Sequence, residues 1–246
     1  MPNTRYIYLF VFAMTSVVAL ALSLLYTALK PIHLKNEALY AKRAILAALG
    51  DKLDGTLATM SNDDVQSIFD TRIEQLVVDV NGNILTSEET AARAYGATIA
   101  EEIDMGKQRK KPVKDRVLPV YIYTAEDGSK YYIVSMRGNG LWDEIWGNIA
   151  LKDDLKTIAG VDFDHKGETP GLGAEIKDNK QWKNQFIGKT LYDENRNFTS
   201  VTAVKGGARN DINQVDGISG ATITADGVND MFKNWIPLYE SFFAKL

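Results

Sequence analysis

The chain has 246 residues, with 28 Lys+Arg against 32 Asp+Glu, two histidines and no cysteine. A composition that is 45% hydrophobic and 24% charged belongs to a folding chain, and a net charge of −4 argues against nucleic-acid binding driven by bulk charge. Zero cysteine excludes disulfides, thiolate-held iron–sulfur clusters, Cys-linked haem, a Cys nucleophile and a lipoprotein anchor, so with only His33 and His165 at hand any redox chemistry must come from an organic cofactor or a bound partner.

Tyr6 to Leu29 reads YIYLFVFAMTSVVALALSLLYTAL, with no charge, Gly or Pro. At about 1.5 Å per residue it reaches roughly 36 Å, enough to cross a ~30 Å hydrocarbon core with some tilt. Tyr6, Tyr8 and Tyr26 stand near its ends, where amphipathic aromatics favour the interface, and Lys30-Pro31 is expected to close it. A cleaved signal peptide is the alternative, with Arg5 as n-region and Ala19-Leu20-Ala21 as cleavage site. The apolar run continues well past that point, which favours a retained anchor. Lys30, Lys35, Lys42 and Arg43 outnumber the positive charges before the span, and by charge bias alone the following chain would stay in the cytoplasm.

Residues 36–49 predict a helix with Asn36 as cap, a Leu39/Ile45/Leu46/Leu49 stripe and Gly50 past the end. A Ser61-capped helix over 61–70 and a strand over 73–80 follow, then an Asn81-Gly82 turn leading into Ile84-Leu85-Thr86. Residues 87–116, with a basic run from Lys107 to Lys111, read as a solvated, partly helical insertion; it lacks the aromatic interleaving of a nucleic-acid surface. Strands are expected at 119–124 and 130–136 around Glu126-Asp127-Gly128, and again at 145–151 and 157–163. A short helix at 180–186, a strand at 198–204 and a final helix at 225–243 complete the chain, with Pro237 kinking or ending part of the last one. The fold class is α+β: an anchor over 1–30, an N-terminal α/β lobe over 31–118 and a binding domain over 119–246.

Four segments suit a site. Asp216-Gly217-Ile218-Ser219-Gly220-Ala221-Thr222-Ile223-Thr224 sets small residues and hydroxyls before a helix, whose free N–H groups and dipole favour a phosphate. Glu168-Thr169-Pro170-Gly171-Leu172-Gly173 is a Pro-Gly turn with an apolar contact. Gly138-Asn139-Gly140-Leu141-Trp142 ends a strand, with Trp142 and Trp146 as core residues or pocket walls. Lys205-Gly206-Gly207-Ala208 is a solvated turn or a place where lysine meets phosphate. Read alone, each is an ordinary turn, the first with Thr224 as helix N-cap.

Together, D-G-x-S-G-A-T, E-T-P-G-L-G and G-x-G-L-W behind one span resemble the C-type, flavin-binding subunit of the sodium-translocating NADH:quinone oxidoreductase. The resemblance covers essentially the whole chain and is most specific over 138–173 and 204–224. The G-type flavin subunit of the Rnf-type ferredoxin:NAD oxidoreductase has a similar layout and is the alternative; a single-span extracytoplasmic flavin-binding module and a purely structural subunit are others. The resemblance implies FMN joined through its phosphate to Thr222 by a separate flavin transferase acting on FAD, and an electron-relaying subunit with no complete active site or metal of its own. It further implies that Ser219 and Thr224 bond the phosphate, Gly220 and Ala221 allow close approach, and Asp216 holds the loop or serves recognition. Thr169, Leu172 and Gly173 would line the ring, Leu141 and Trp142 its other side, and Lys205 the phosphate or ring edge. The partners implied are the other complex subunits, the transferase and membrane lipid. The location implied is the bacterial inner membrane, single-pass, with the soluble part on the periplasmic side, against the charge bias.

Overall fold

The computed structural model describes residues 3–246 and divides into two compact units, one up to Tyr40 and one over Ala41–Leu246. Helix α1 (Thr4–Ala47) begins in the first and ends in the second, and it runs on through Pro31, so neither Lys30-Pro31 nor Asn36 marks a helix boundary. A proline forfeits one backbone hydrogen bond, but residues on both sides of it are good helix formers. Among the described residues this is the one helix long and apolar enough to cross a membrane, with a mean hydropathy of 2.3 over an 18-residue window that is entirely unburied.

The second unit is built on an antiparallel meander: β1 (Ile73–Asp79), β2 (Val117–Thr124), β3 (Lys130–Asn139), β4 (Glu144–Leu151) and β5 (Ile158–His165), in that spatial order. These strands match the expected ones within a few residues, with Gly128 in the left-handed region (φ 84°) at the β2–β3 turn. Helix α2 (Asn62–Arg72) starts at Ser61, whose hydroxyl and the Asp64 carboxylate complete a capping box. Gly82 makes the expected tight turn (φ 73°), but only Ile84 bridges back to Val78, so no second strand forms. The Asp79 carboxylate accepts the N–H groups of Asn81 and Asn83, and Thr86 then caps helix α3 (Ser87–Arg93), which diverts the chain.

The 87–116 segment is not the solvated insertion expected. Around α3 and helix α4 (Met105–Arg109), Ala94, Ala97, Ala100, Ile103 and Met105 are buried, and fully buried Gln108 accepts the Val117 N–H at 3.1 Å. The basic run is also engaged: Arg109 donates to the Asn139 side chain at 2.7 Å, and the Lys107 and Lys111 ammoniums lie over the Tyr95 ring.

Both sheet faces are covered. On one, Phe69 of α2 meets Tyr121 edge-on, and the Ala48 backbone abuts Gly160 of β5. At the start of this unit, Lys42 is buried, 3.1 Å from Glu101 and 3.0 Å from the Gln66 side-chain oxygen. The other face carries Val134 and Met136 of β3, Ile145 and Ile149 of β4 and Phe163 of β5, against the last helix, α7 (Thr222–Phe243). Short helices α5 (Glu175–Asp178) and α6 (Lys180–Asn184) pack beside β5, and Trp182 joins the Phe163, Phe186 and Phe232 cluster. The expected 198–204 strand shrinks to β6 (Thr202–Val204), because Ser200 turns left-handed (φ 63°); β6 pairs in parallel with β7 (Gln214–Asp216). The buried Asn229 amide holds β6 to α7 by bonding both the N–H and the C=O of Ala203.

Helix α7 starts three residues earlier than expected, and Pro237 does not end it. The carbonyl that Pro237 leaves unbonded belongs to Lys233, on the exposed side of the helix, where water can take it. Near its start the helix rides unusually close to the sheet. A Cβ at Gly227 would fall inside contact distance of the Asn139 carbonyl oxygen, and one at Gly138 would meet Met231. Alanine is the better helix former by about 1 kcal/mol. A clash with backbone cannot be relieved by a rotamer change, so Gly227→Ala is expected to destabilise the unit by about 1–3 kcal/mol. Thermal unfolding of the detergent-extracted chain measures it, and an unchanged or raised midpoint would contradict the close approach.

Candidate functional site

The four segments singled out in the sequence converge at the N-terminal end of α7. Asp216 closes β7, and its carboxylate accepts the Ala208 N–H at 2.8 Å, fixing the Lys205–Ala208 turn against the loop before α7. Its own backbone is held as well, the N–H donating to Gln185 and the C=O accepting the Trp182 indole N–H. Asp216 therefore holds the loop by direct contact. Between these turns lies a cleft of about 340 Å³ lined by Lys205, Gly206, Gly217, Ser219, Gly220, Thr222 and Asp226 among others.

The chain enters the helix through Gly220 in the left-handed region (φ 78°), where a Cβ would sit 2.7 Å from the Gly171 carbonyl oxygen. Glycine is thus required twice over, by conformation and by approach. That approach seats the 169–173 turn directly on the 217–222 loop. Ala221 is the N-cap and is buried; its methyl group has no acceptor and so supplies no side-chain cap, and the first turn of α7 carries no acidic residue. Thr222 and Ser219 are exposed at the cleft. A helix N-terminus without a side-chain cap leaves backbone N–H groups available to an anion, and the cleft carries one side-chain charge of each sign, Lys205 beside the loop and Asp226 one turn into the helix.

Thr224 does something other than the capping expected of it. It lies inside the helix, wholly buried, and its hydroxyl donates to a Glu168 carboxylate oxygen at 2.7 Å. Glu168, 5% exposed, also accepts the main-chain N–H groups of Leu141 (3.2 Å), Trp142 (2.9 Å) and Asp143 (3.4 Å). Burial alone would raise its pKa. The Trp142 N–H, the Thr224 hydroxyl and the other two amides outweigh burial and hold the carboxyl below the ordinary range. Two glycines make room for it: a Cβ at Gly140 or at Gly173 would come within 2.6 Å of its oxygens. Its own N–H donates to Nδ1 of His165 at the end of β5. The sequence offered Glu168 only as the first letter of a turn motif; the signal for its role is the pair of glycines on either side of it in space, which lie 33 residues apart in the chain.

The remaining site candidates surround this carboxylate. Gly171 and Gly173 donate to the Glu175 carboxylate, and the Thr169 carbonyl accepts from Leu172 and Ala174, which makes the turn rigid. Leu172 is 42% exposed, Leu141 half-buried and Trp142 66% exposed. Trp146 faces away from α7, half-buried beneath the Arg137 guanidinium. Among the described residues no cluster of acidic or histidine side chains suits a metal ion.

A family model described as FMN-binding domain matches residues 140–237, which take in the Gly140–Trp142, Glu168–Gly173 and Asp216–Thr224 segments together. The C-type subunit of the Na(+)-translocating NADH-quinone reductase of Pseudomonas aeruginosa is 35% identical over 237 residues, covering 89% of this chain and 87% of that protein. Its counterpart in Neisseria meningitidis serogroup A is 33% identical over 91% of this chain and 89% of its own. Among solved structures, the same subunit from Parabacteroides distasonis superposes with a TM-score of 0.72 at 32% identity, over 87% of this chain and 96% of that one. NqrC of Shewanella oneidensis gives 0.67 at 26% identity, over 83% and 94%. With a third of its residues shared along most of both chains, and the same mixed α+β architecture, the protein belongs to the NqrC family, the C-type subunits of the Na(+)-translocating NADH-quinone reductase.

Proposed function

We propose that the chain is the flavin-carrying, electron-relaying subunit of a membrane-bound sodium-pumping NADH:quinone reductase, with FMN joined by a phosphoester bond to Thr222. The observation that carries this reading is the exposed Thr222 hydroxyl on a helix start that lacks a side-chain cap, inside a cleft that also holds Lys205 and Ser219. The group fits what is there: small residues where a flat ligand must approach backbone, and amide and ammonium donors where a phosphate must sit. In the attachment step a Thr222 oxygen–phosphorus bond forms as the pyrophosphate bond of FAD breaks; AMP leaves and the hydroxyl proton is released, with a flavin transferase as the catalyst. When bound, FMN can pass electrons singly or in pairs. Lys205 and the first-turn amides hold the phosphate, Ser219 bonds it from the side, and Leu172, Leu141 and Trp142, with Thr169 beside them, present a surface to the ring, while Gly173 is buried against Glu168 and Thr224. Thr224 does not reach the phosphate in this reading, because its hydroxyl is committed to Glu168.

The reading places the protein in the bacterial inner membrane through α1, alongside the other subunits and lipid, with the Ala41–Leu246 unit outside the cytoplasm. The charge bias that opposes this is weakened by the structure. Lys42 is spent on Glu101, Gln66 and the face of Phe69, and Arg43 donates to the Leu57 and Met60 carbonyls. Two of the four positive residues after the span are thus fold residues of the second unit, which supports reading them as something other than topology signals.

Thr222→Ala is expected to abolish covalent flavin with little effect on folding, since an exposed hydroxyl is lost. Intact mass and flavin fluorescence of the denatured band report it, and a flavin-bearing Ala variant would refute the attachment point. Leu172→Ala should leave the covalent bond in place but shift the flavin absorption or midpoint potential; if neither moves, the ring does not lie on this turn. For sidedness, Ser61→Cys adds a lone thiol to a cysteine-free chain at an exposed N-cap. A reagent that cannot cross the inner membrane should label it in intact cells, whereas labelling only after lysis would place the unit in the cytoplasm.

A further inference from the structure

The geometry points to Glu168 as the positioning residue that holds the Thr222 hydroxyl in place for flavin attachment, an inference that rests on Thr222 being the attachment point. The first turn of a helix is the part that frays, and most helices secure it with a side-chain cap. Helix α7 has Ala221 there and no such bond. A carboxylate cap in that position would meet a phosphate with like charge. The chain anchors the turn from behind instead. Thr222 and Thr224 are two residues apart, about 200° around the helix axis. One hydroxyl is exposed at the cleft while the other is wholly buried and donates to Glu168 at 2.7 Å.

Glu168 is itself held on several sides. It is 5% exposed, holds three main-chain N–H groups of residues 141–143, and lies against Gly140 and Gly173, where no side chain would fit. Its negative charge is taken up by those donors and kept behind the helix start, so the carboxylate that lines the cleft is Asp226, one turn further along α7. The rest of α7 does not depend on it. From Val228 to Phe243 the helix is held to the sheet by its apolar face and by Trp235 and Tyr239, which donate to the Arg137 and Ser135 carbonyls, and to β6 by Asn229. Loss of the Glu168–Thr224 bond should therefore loosen the turn that presents Thr222 while leaving the fold intact.

The test compares the full chain, produced together with its flavin transferase and extracted from membranes, as wild type, Thr224→Val, Glu168→Ala, Glu168→Gln and Thr222→Ala. The rate of covalent flavin loading is read by intact mass, and the thermal midpoint is read alongside. Thr224→Val and Glu168→Ala should load on the order of ten- to a hundredfold more slowly, as expected for a misplaced reacting group. Loading should fall well beyond any fraction of chain that fails to fold. Glu168→Gln should recover part of it, because the amide can donate to the Thr224 hydroxyl while its oxygen still accepts from Trp142 and Asp143, at the loss of the Leu141 N–H bond. Thr224→Val changes one hydroxyl for a methyl and decides the matter if Glu168→Ala does not fold. Wild-type loading rates in Thr224→Val overturn the positioning role, as does a loss that only tracks the unfolded fraction. A wild-type chain with no flavin on Thr222 overturns the attachment reading instead.

Discussion

A carboxylate taken out of water is costly unless its lone pairs are met, and the site of this protein is organised around meeting those of Glu168. Four donors from two distant stretches of chain converge on it: three consecutive amides after β3 and one hydroxyl from the start of α7. The surrounding sequence follows from that requirement. Gly140 and Gly173 are glycine because the oxygens occupy the space of their side chains, and Thr224 is a hydroxyl residue because the last lone pair needs a donor. If one partner were lost, a buried charge would be left short of a bond, which costs more than the bond itself contributes. The G-x-G-L-W and E-T-P-G-L-G stretches are in this sense two halves of one device.

The scaffold beneath is equally tight. Helix α7 approaches the sheet over Gly138 and Gly227, so its first turn is set at a fixed height above the ends of β3 and β4. Apolar side chains and the indole and phenol bonds of Trp235 and Tyr239 fasten the remainder. Such packing fixes the axis of the helix but not its fraying end, and the buried carboxylate supplies what packing cannot.

Much of the fold was legible from residue pattern. The strands β2 to β5 alternate or run apolar between turn residues, Ser61 announces α2, and the apolar repeat of α7 is unmistakable. Misreadings have local causes. Pro31 and Asn36 suggested a break in α1, yet neither outweighs the helix formers around it. Residues 87–116 looked solvated because their buried positions are mostly alanine, which carries little hydropathy signal, and because Gln108 is polar and buried. The expected 198–204 strand failed at Ser200, a left-handed position that no propensity scale anticipates in a serine. At the site, the segments themselves could be named from sequence, since glycine and hydroxyl residues cluster visibly. What could not be read was which side chain faces which way. Thr222 and Thr224 look equivalent on paper, and only the helical turn between them makes one a surface group and the other an internal strut.

The order of elements along the chain has a bearing on when this site comes into being. Strands β2 to β5 are each joined to a sequence neighbour by a short connection, so they can pair early and locally. The cradle needs the 139–143 loop, the 168–173 turn and α7 together, and α7 follows every strand. Nothing resembling the cradle exists on a growing chain until the last helix has been synthesised and has docked. The cradle is therefore a product of the completed fold, assembled from three stretches that lie far apart in the chain.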